Sequence, residues 1–65
     1  MNQIILVDLT SNKTLEFHRT KDVKNLLPKF ITSTIRVSGI RCVDPNTWED
    51  LREYVDLLHN QINLH

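Results

Sequence analysis

A single cysteine, Cys42, excludes an internal disulfide, the usual staple of a chain this short. The other soft ligands are His18, His59 and His65, and their spacing matches no metal site, so neither a metal nor a cofactor is expected. Gly39 is the only glycine, so no glycine-rich loop can cradle a phosphate. Aromatic residues make up 6% of the chain, and Phe17, Phe30 and Trp48 are all wanted for a core. That leaves no platform on which bases could stack. The apolar run Ile4-Ile5-Leu6-Val7 has no basic residue ahead of it and is far shorter than a secretory or membrane-spanning segment. These absences, with one cysteine, lead us to expect an intact cytoplasmic chain with no membrane partner. Two prolines and a hydrophobic content of 40% argue against disorder.

Net charge is also missing: eight basic residues balance eight acidic ones. The charges are nevertheless sorted. Lys13 to Arg41 holds seven basic residues and two acidic ones, a local excess of +5. Cys42 to His65 holds five acidic residues and one basic one, an excess of −4. Such sorting bears on association rather than on fold.

A chain of 65 residues is read as one domain spanning 1–65. A domain of this size buries only about 60% of the surface its unfolded chain exposes, so a lone monomer is marginally stable. A homodimer is therefore favoured over a monomer.

Hydrophobic periodicity suggests two strands, a short helix, a second strand pair and a longer helix. Residues 3–9 read as a strand buried on both faces, central in its sheet. Residues 14–19 alternate, with Leu15 and Phe17 opposed to Glu16 and His18. A three-residue loop, Ser11-Asn12-Lys13, would set Leu9 against Leu15 and Val7 against Phe17, with Asn12 the easier residue to place in the left-handed region. Thr20 is a candidate cap for a helix over residues 21–27 carrying Val23, Leu26, Leu27 and Phe30 on one stripe. Pro28 should end or kink it.

Ile35-Arg36-Val37 and Ile40-Arg41-Cys42 flank Ser38-Gly39. A continuous strand would switch its apolar set from face to face at the glycine. A hairpin, or at least a bulge at Gly39, avoids that switch. In the hairpin Cys42 faces the core beside Ile35, and Arg36 stands opposite Arg41.

The last segment starts at Asp44-Pro45 or at Thr47, where Thr47-x-x-Asp50 resembles a capping box. Trp48, Leu51, Val55, Leu58 and Ile62 follow helical spacing over about four turns, with Tyr54 and Leu57 beside the stripe. The expected class is α+β: a small antiparallel sheet of two hairpins in the order ββαββα, with both helices packed on one face.

Catalysis is not expected. Cys42 faces the core, where thiols are commonly inert, and nothing sets an acid and a base together in a cleft. The histidines read as solvated or dipole-compensating. Three surface features remain. Arg36 and Arg41, with Lys21, Lys24 and Lys29 on the neighbouring helix, form a candidate site for anions or nucleic acid. An acid such as Glu16 or Asp22 lying between the arginines, or simple solvation, would explain the pair without any ligand. Glu49, Glu53 and Asp56 form a candidate acidic face for a partner. The helix macrodipole accounts for acids near the helix start but not for Asp56. Trp48 and Tyr54 are candidate dimer-interface aromatics.

The expectation is thus a small non-catalytic interaction protein, a regulator, adaptor or inhibitor of the kind often carried by phages and mobile elements. It would bind a protein partner or itself. A nucleic-acid-binding accessory protein using the 36/41 arginine pair is the alternative, disfavoured by the zero net charge and by the acidic last helix.

Overall fold

Ile5, Val7 and Leu9 point to one side of a five-residue strand, β1 (Ile5–Leu9), and all three are buried. In the computed structural model, which describes residues 3–63, this strand is the middle of a three-stranded antiparallel sheet. β2 (Thr14–Phe17) pairs with one side of it and β3 (Val37–Cys42) with the other. Helix α1 (Thr20–Leu26) follows β2 and runs into a single 3-10 turn, Leu27–Lys29. Helix α2 (Pro45–Asn63) follows β3. The class is α+β, and Val23 of α1 and Leu51, Val55 and Leu58 of α2 are buried in the same core as Ile5, Val7 and Leu9. β1 is central as expected. Its second face, however, is half-buried rather than buried, because no element among the described residues covers that side of Leu6 and Asp8.

The β1–β2 turn comprises Thr10, Ser11 and Asn12. Asn12 N–H donates to the Leu9 carbonyl at 3.1 Å, and Leu9 N–H donates to the Lys13 carbonyl at 2.8 Å. Asn12 has φ 68°. In a three-residue hairpin loop the left-handed residue comes last, so an asparagine in that role sets the loop at 10–12 instead of 11–13. Val7 consequently pairs with Leu15 and Ile5 with Phe17. The expected faces are kept, while each partner moves by two residues.

Residues 33–43 do not form a hairpin, so the sheet has three strands rather than four. Thr32 instead closes a tight turn: its Oγ1 accepts from Ile35 N–H at 2.9 Å, and Ile35 O accepts from Thr32 N–H at 3.0 Å. β3 then runs unbroken along β1. Gly39 pairs with Asp8 but Val37 pairs with Leu9, so Ser38 is an extra residue on β3. This bulge moves the strand across one step of its pleat. Val37, Ile40 and Cys42 all face the core as a result, which an unbroken alternation would forbid. Cys42 stands against Ile5, not Ile35, and is half-buried.

Helix α1 starts one residue earlier than expected. Arg19 is its N-cap, and Thr20 lies inside the helix without a capping hydrogen bond. The Pro28 prediction holds: regular α-helix ends at Leu26 and the chain tightens into the 3-10 turn. At α2, Asp44 rather than Thr47 caps the helix. Asp44 Oδ1 accepts from Asn46 N–H at 3.0 Å and its carbonyl accepts from Trp48 N–H at 2.9 Å. Thr47 supports this cap by donating its hydroxyl to Asp44 Oδ2 at 3.1 Å, so the Thr47-x-x-Asp50 box does not form. The helix has 19 residues, about five turns. Leu51, Val55 and Leu58 are buried on it. Two aromatics expected inside are not: Phe30 is 36% exposed and Trp48 39%, and Ile31 takes the core place beside Leu27.

The turn yields a direct prediction. Asn12→Gly should leave stability unchanged or raise it, whereas Asn12→Val should cost about 1–2 kcal/mol, because a Cβ-branched residue resists the left-handed region. Urea denaturation of the two variants checks this; equal stabilities would contradict the assigned turn.

Candidate functional site

Helix α2 presents three exposed or half-exposed rows, each set by its 3.6-residue repeat. The row facing β3 holds Trp48, Arg52 and His59. β1 gives the peptide groups of alternate residues to β2 and the rest to β3, so Ile40 turns its peptide groups outward, away from β1. Two ring nitrogens of α2 meet the outward groups of β3. Trp48 Nε1–H donates to the Ile40 carbonyl at 2.9 Å, and Val37 N–H donates to His59 Nε2 at 3.2 Å. A bare strand edge invites pairing with another chain, and α2 closes this one. The outer edge of β2 is not closed in this way, but that strand is only four residues long and carries Glu16.

The row facing α1 holds Asp50 and Tyr54. Lys24 Nζ lies 3.3 Å from Asp50 Oδ2 and 5.8 Å from the centre of the Tyr54 ring. The Tyr54 hydroxyl donates to the Lys24 carbonyl at 3.1 Å, one of the carbonyls that the end of α1 leaves open. Burial pushes the Tyr54 phenol above its ordinary pKa, with the Lys24 charge opposing.

The outer row holds Glu49, Glu53 and Leu57 at i, i+4 spacing. Both glutamates are exposed, and neither forms an ion pair among the described residues. Leu57 is 61% exposed. Asp56, the third acid assigned to this face, is instead paired with Arg52 at 3.2 Å.

The basic candidates are not brought together. Arg41 leaves Arg36 and makes a two-pronged contact across the sheet: its Nε donates to Asp8 Oδ2 at 3.0 Å and its second nitrogen to Asp8 Oδ1 at 2.9 Å. Thr14 adds a donor to Asp8 Oδ1 at 2.8 Å. Arg36 lies half-buried in the segment before β3, and one of its terminal nitrogens is buried without a hydrogen-bond partner among the described residues. Lys24 is held between the helices. Lys21 and Lys29 are exposed on α1 and the 3-10 turn, without ion pairs among the described residues. An internal acid does accompany one arginine, but it is Asp8; Asp22 holds Arg19 at 2.9 Å and Glu16 lies 3.3 Å from His18.

No family model matches the chain, and neither does any curated protein or solved structure. Function must therefore be read from its surfaces. No helix is long and apolar enough to cross a membrane, and no group of three or more His, Cys, Asp or Glu side chains among the described residues could hold a metal ion.

The second face of the sheet is the other uncovered surface. Ile4, 57% exposed, and Val43, 94% exposed, lie beyond the Ile5–Cys42 pair, next to half-buried Leu6. The rest of that face carries the Asp8–Arg41–Thr14 cluster, whose charges cancel locally, and the Glu16–His18 contact. A shallow groove of about 370 Å³ crosses the turn end of the sheet, lined by Asp8, Leu9, Asn12, Lys13, Thr14 and Ser38. Burial pushes the Cys42 thiol up, with Asp44 adding to the shift, so it is a poor thiolate at neutral pH.

Sequence reasoning missed the contacts that Asp8, Trp48 and His59 make. Asp8 stands alone among aliphatic neighbours, which marks it as a polar contact awaiting a partner, but the partner depends on which strand lies beside β1. Trp48 and His59 are eleven residues apart, three helical turns, so their alignment on one flank was legible in principle.

The Arg41 guanidinium beside Asp8, with Thr14 assisting, holds the Asp8 carboxyl below its ordinary pKa of 3.8. A depressed carboxylate contributes stability above its ordinary pKa and loses it as pH falls toward the folded-state value. In the wild type, the Asp8 carboxyl carbon should therefore titrate by NMR below pH 3.8. In Arg41→Gln it should move back toward that value; an unmoved midpoint would show that the contact is not formed in solution.

Proposed function

We propose that this is a small non-catalytic interaction protein that acts by binding another protein through the outer face of α2. The observation that carries this reading is the row Glu49–Glu53–Leu57. Two like charges at i, i+4 repel by roughly 0.2–0.5 kcal/mol, and neither has a cation partner among the described residues. Glu49 lies in the first turns of α2, where the macrodipole offsets part of that cost; Glu53 and Leu57 lie beyond them. An exposed leucine continuing a line of unpaired acids does nothing for the fold. It suits a partner presenting lysines or arginines around an apolar patch, a pairing that steers association and fixes register. Trp48 and Tyr54 support a self-association reading less well, because both direct their polar atoms inward to Ile40 and Lys24.

The alternative, a nucleic-acid accessory protein, draws on Lys21 and Lys29 after Arg36 and Arg41 are set apart. The two readings part on salt and on variants. Affinity capture with the wild-type chain should retain a protein partner that Glu49→Gln with Glu53→Gln loses or binds roughly tenfold more weakly, mostly through slower association. Lys21→Ala with Lys29→Ala should leave that partner bound. An unchanged partner set in the glutamate variant would sink the α2 reading. Salt-sensitive binding to arbitrary duplex, abolished by the lysine variant, would favour the alternative.

A further inference from the structure

The two ring nitrogens that close the β3 edge are not equivalent. The Trp48 indole donates and does not titrate. The His59 ring accepts, and Nε2 can accept the Val37 N–H at 3.2 Å only while it carries no proton. A protonated His59 has two donors and no acceptor, so it would stand donor to donor against Val37.

Its surroundings amplify this. The charged groups that bear on the ring are Arg36, from the segment leading into β3, and Arg52 and Asp56, from its own helix. Asp56 is already engaged by Arg52 at 3.2 Å. Arg36 has a buried terminal nitrogen without a hydrogen-bond partner and forms no ion pair among the described residues, so that corner already holds positive charge. A new proton on the ring adds charge where two guanidiniums lie and removes the hydrogen bond in the same step.

We propose that His59 is a proton-sensitive latch: its neutral ring fastens the C-terminal half of α2 to the outer edge of β3, and its protonation frees that half and bares the edge. Trp48 keeps the N-terminal half of α2 anchored at Ile40, so release is local. Burial first, then Arg36 and Arg52, hold the His59 pKa below its ordinary value of 6.5, with Asp56 opposing. For a histidine whose folded-state pKa is depressed, stability is intact above the ordinary value. It is lost as pH falls from there toward the folded-state pKa. The latch is therefore closed at neutral pH and opens on mild acidification.

Amide hydrogen exchange by NMR on the intact chain tests this, taken from about pH 7.5 to about pH 5 and expressed as protection factors to remove the intrinsic pH dependence. Val37 protection should fall, by up to about tenfold per pH unit between the ordinary and folded-state His values, while the central-strand amide of Val7 stays protected. The fall should level off at the pH where the His59 ring titrates in the folded protein. His59→Gln supplies an oxygen acceptor that does not titrate, retains His18 and His65, and should make Val37 protection independent of pH over this range. The latch is overturned if Val37 protection in the wild type is flat, if its fall does not level off where the His59 ring titrates, or if the same fall persists in His59→Gln. Should that variant not fold, the first two comparisons on the wild type decide alone.

Discussion

The extra residue at Ser38 is the constraint on which the rest of this structure depends. Val37, Ile40 and Cys42 cannot all face one side of a regular strand, because side chains alternate. A hairpin or a bulge each solves the problem. The bulge does so while leaving the segment in one piece, and one piece long enough to run beside all of β1. Burial then favours it: β1 gains a neighbour on its second side, and Ile5, Val7 and Leu9 are sealed between two strands and two helices. A hairpin would have spent the same residues on each other and left that side of β1 open.

The placement of the functional groups follows from that choice. With β3 beside β1, Arg41 arrives opposite Leu6 and next to Asp8, and its charge is settled within the sheet. Arg36 stays in the preceding segment, near His59. β3 becomes an edge, and the helix that follows it folds back along that edge. The flank of α2 that meets β3 therefore has to supply a donor for Ile40 and an acceptor for Val37, and Trp48 and His59 do so. The outer flank carries Glu49 and Glu53, without ion pairs among the described residues, and exposed Leu57. The sorting of charge along the chain thus resolves into three paired cations, Arg19, Lys24 and Arg41, four without ion pairs among the described residues, Lys13, Lys21, Lys29 and Arg36, and a short acidic row at Glu49 and Glu53.

Much of the fold was legible from periodicity. The central strand, the amphipathic last helix, the break at Pro28, the left-handed Asn12 and the inward-facing Cys42 all arise from local patterns of side chains, and local sterics do not change with context. Three of the errors share one cause. Pairing Arg36 with Arg41, placing Phe30 and Trp48 inside and counting four strands each required knowing which segment lies next to which. Ser38-Gly39 satisfies both a turn and a bulge locally, and only the long-range pairing with β1 separates them.

The sequence by itself determined the kinds of element, the faces they bury and the α+β class, because those depend on spacing along the chain. The tertiary structure alone decided which charges are neutralised, which aromatics stay at the surface and what the His59 ring does. Ion pairs and edge contacts join residues far apart in sequence, and their partners exist only once the strand order is set. Asp8 and Arg41 carry opposite charges at positions whose adjacency no local pattern records; the bulge at Ser38 brings them together.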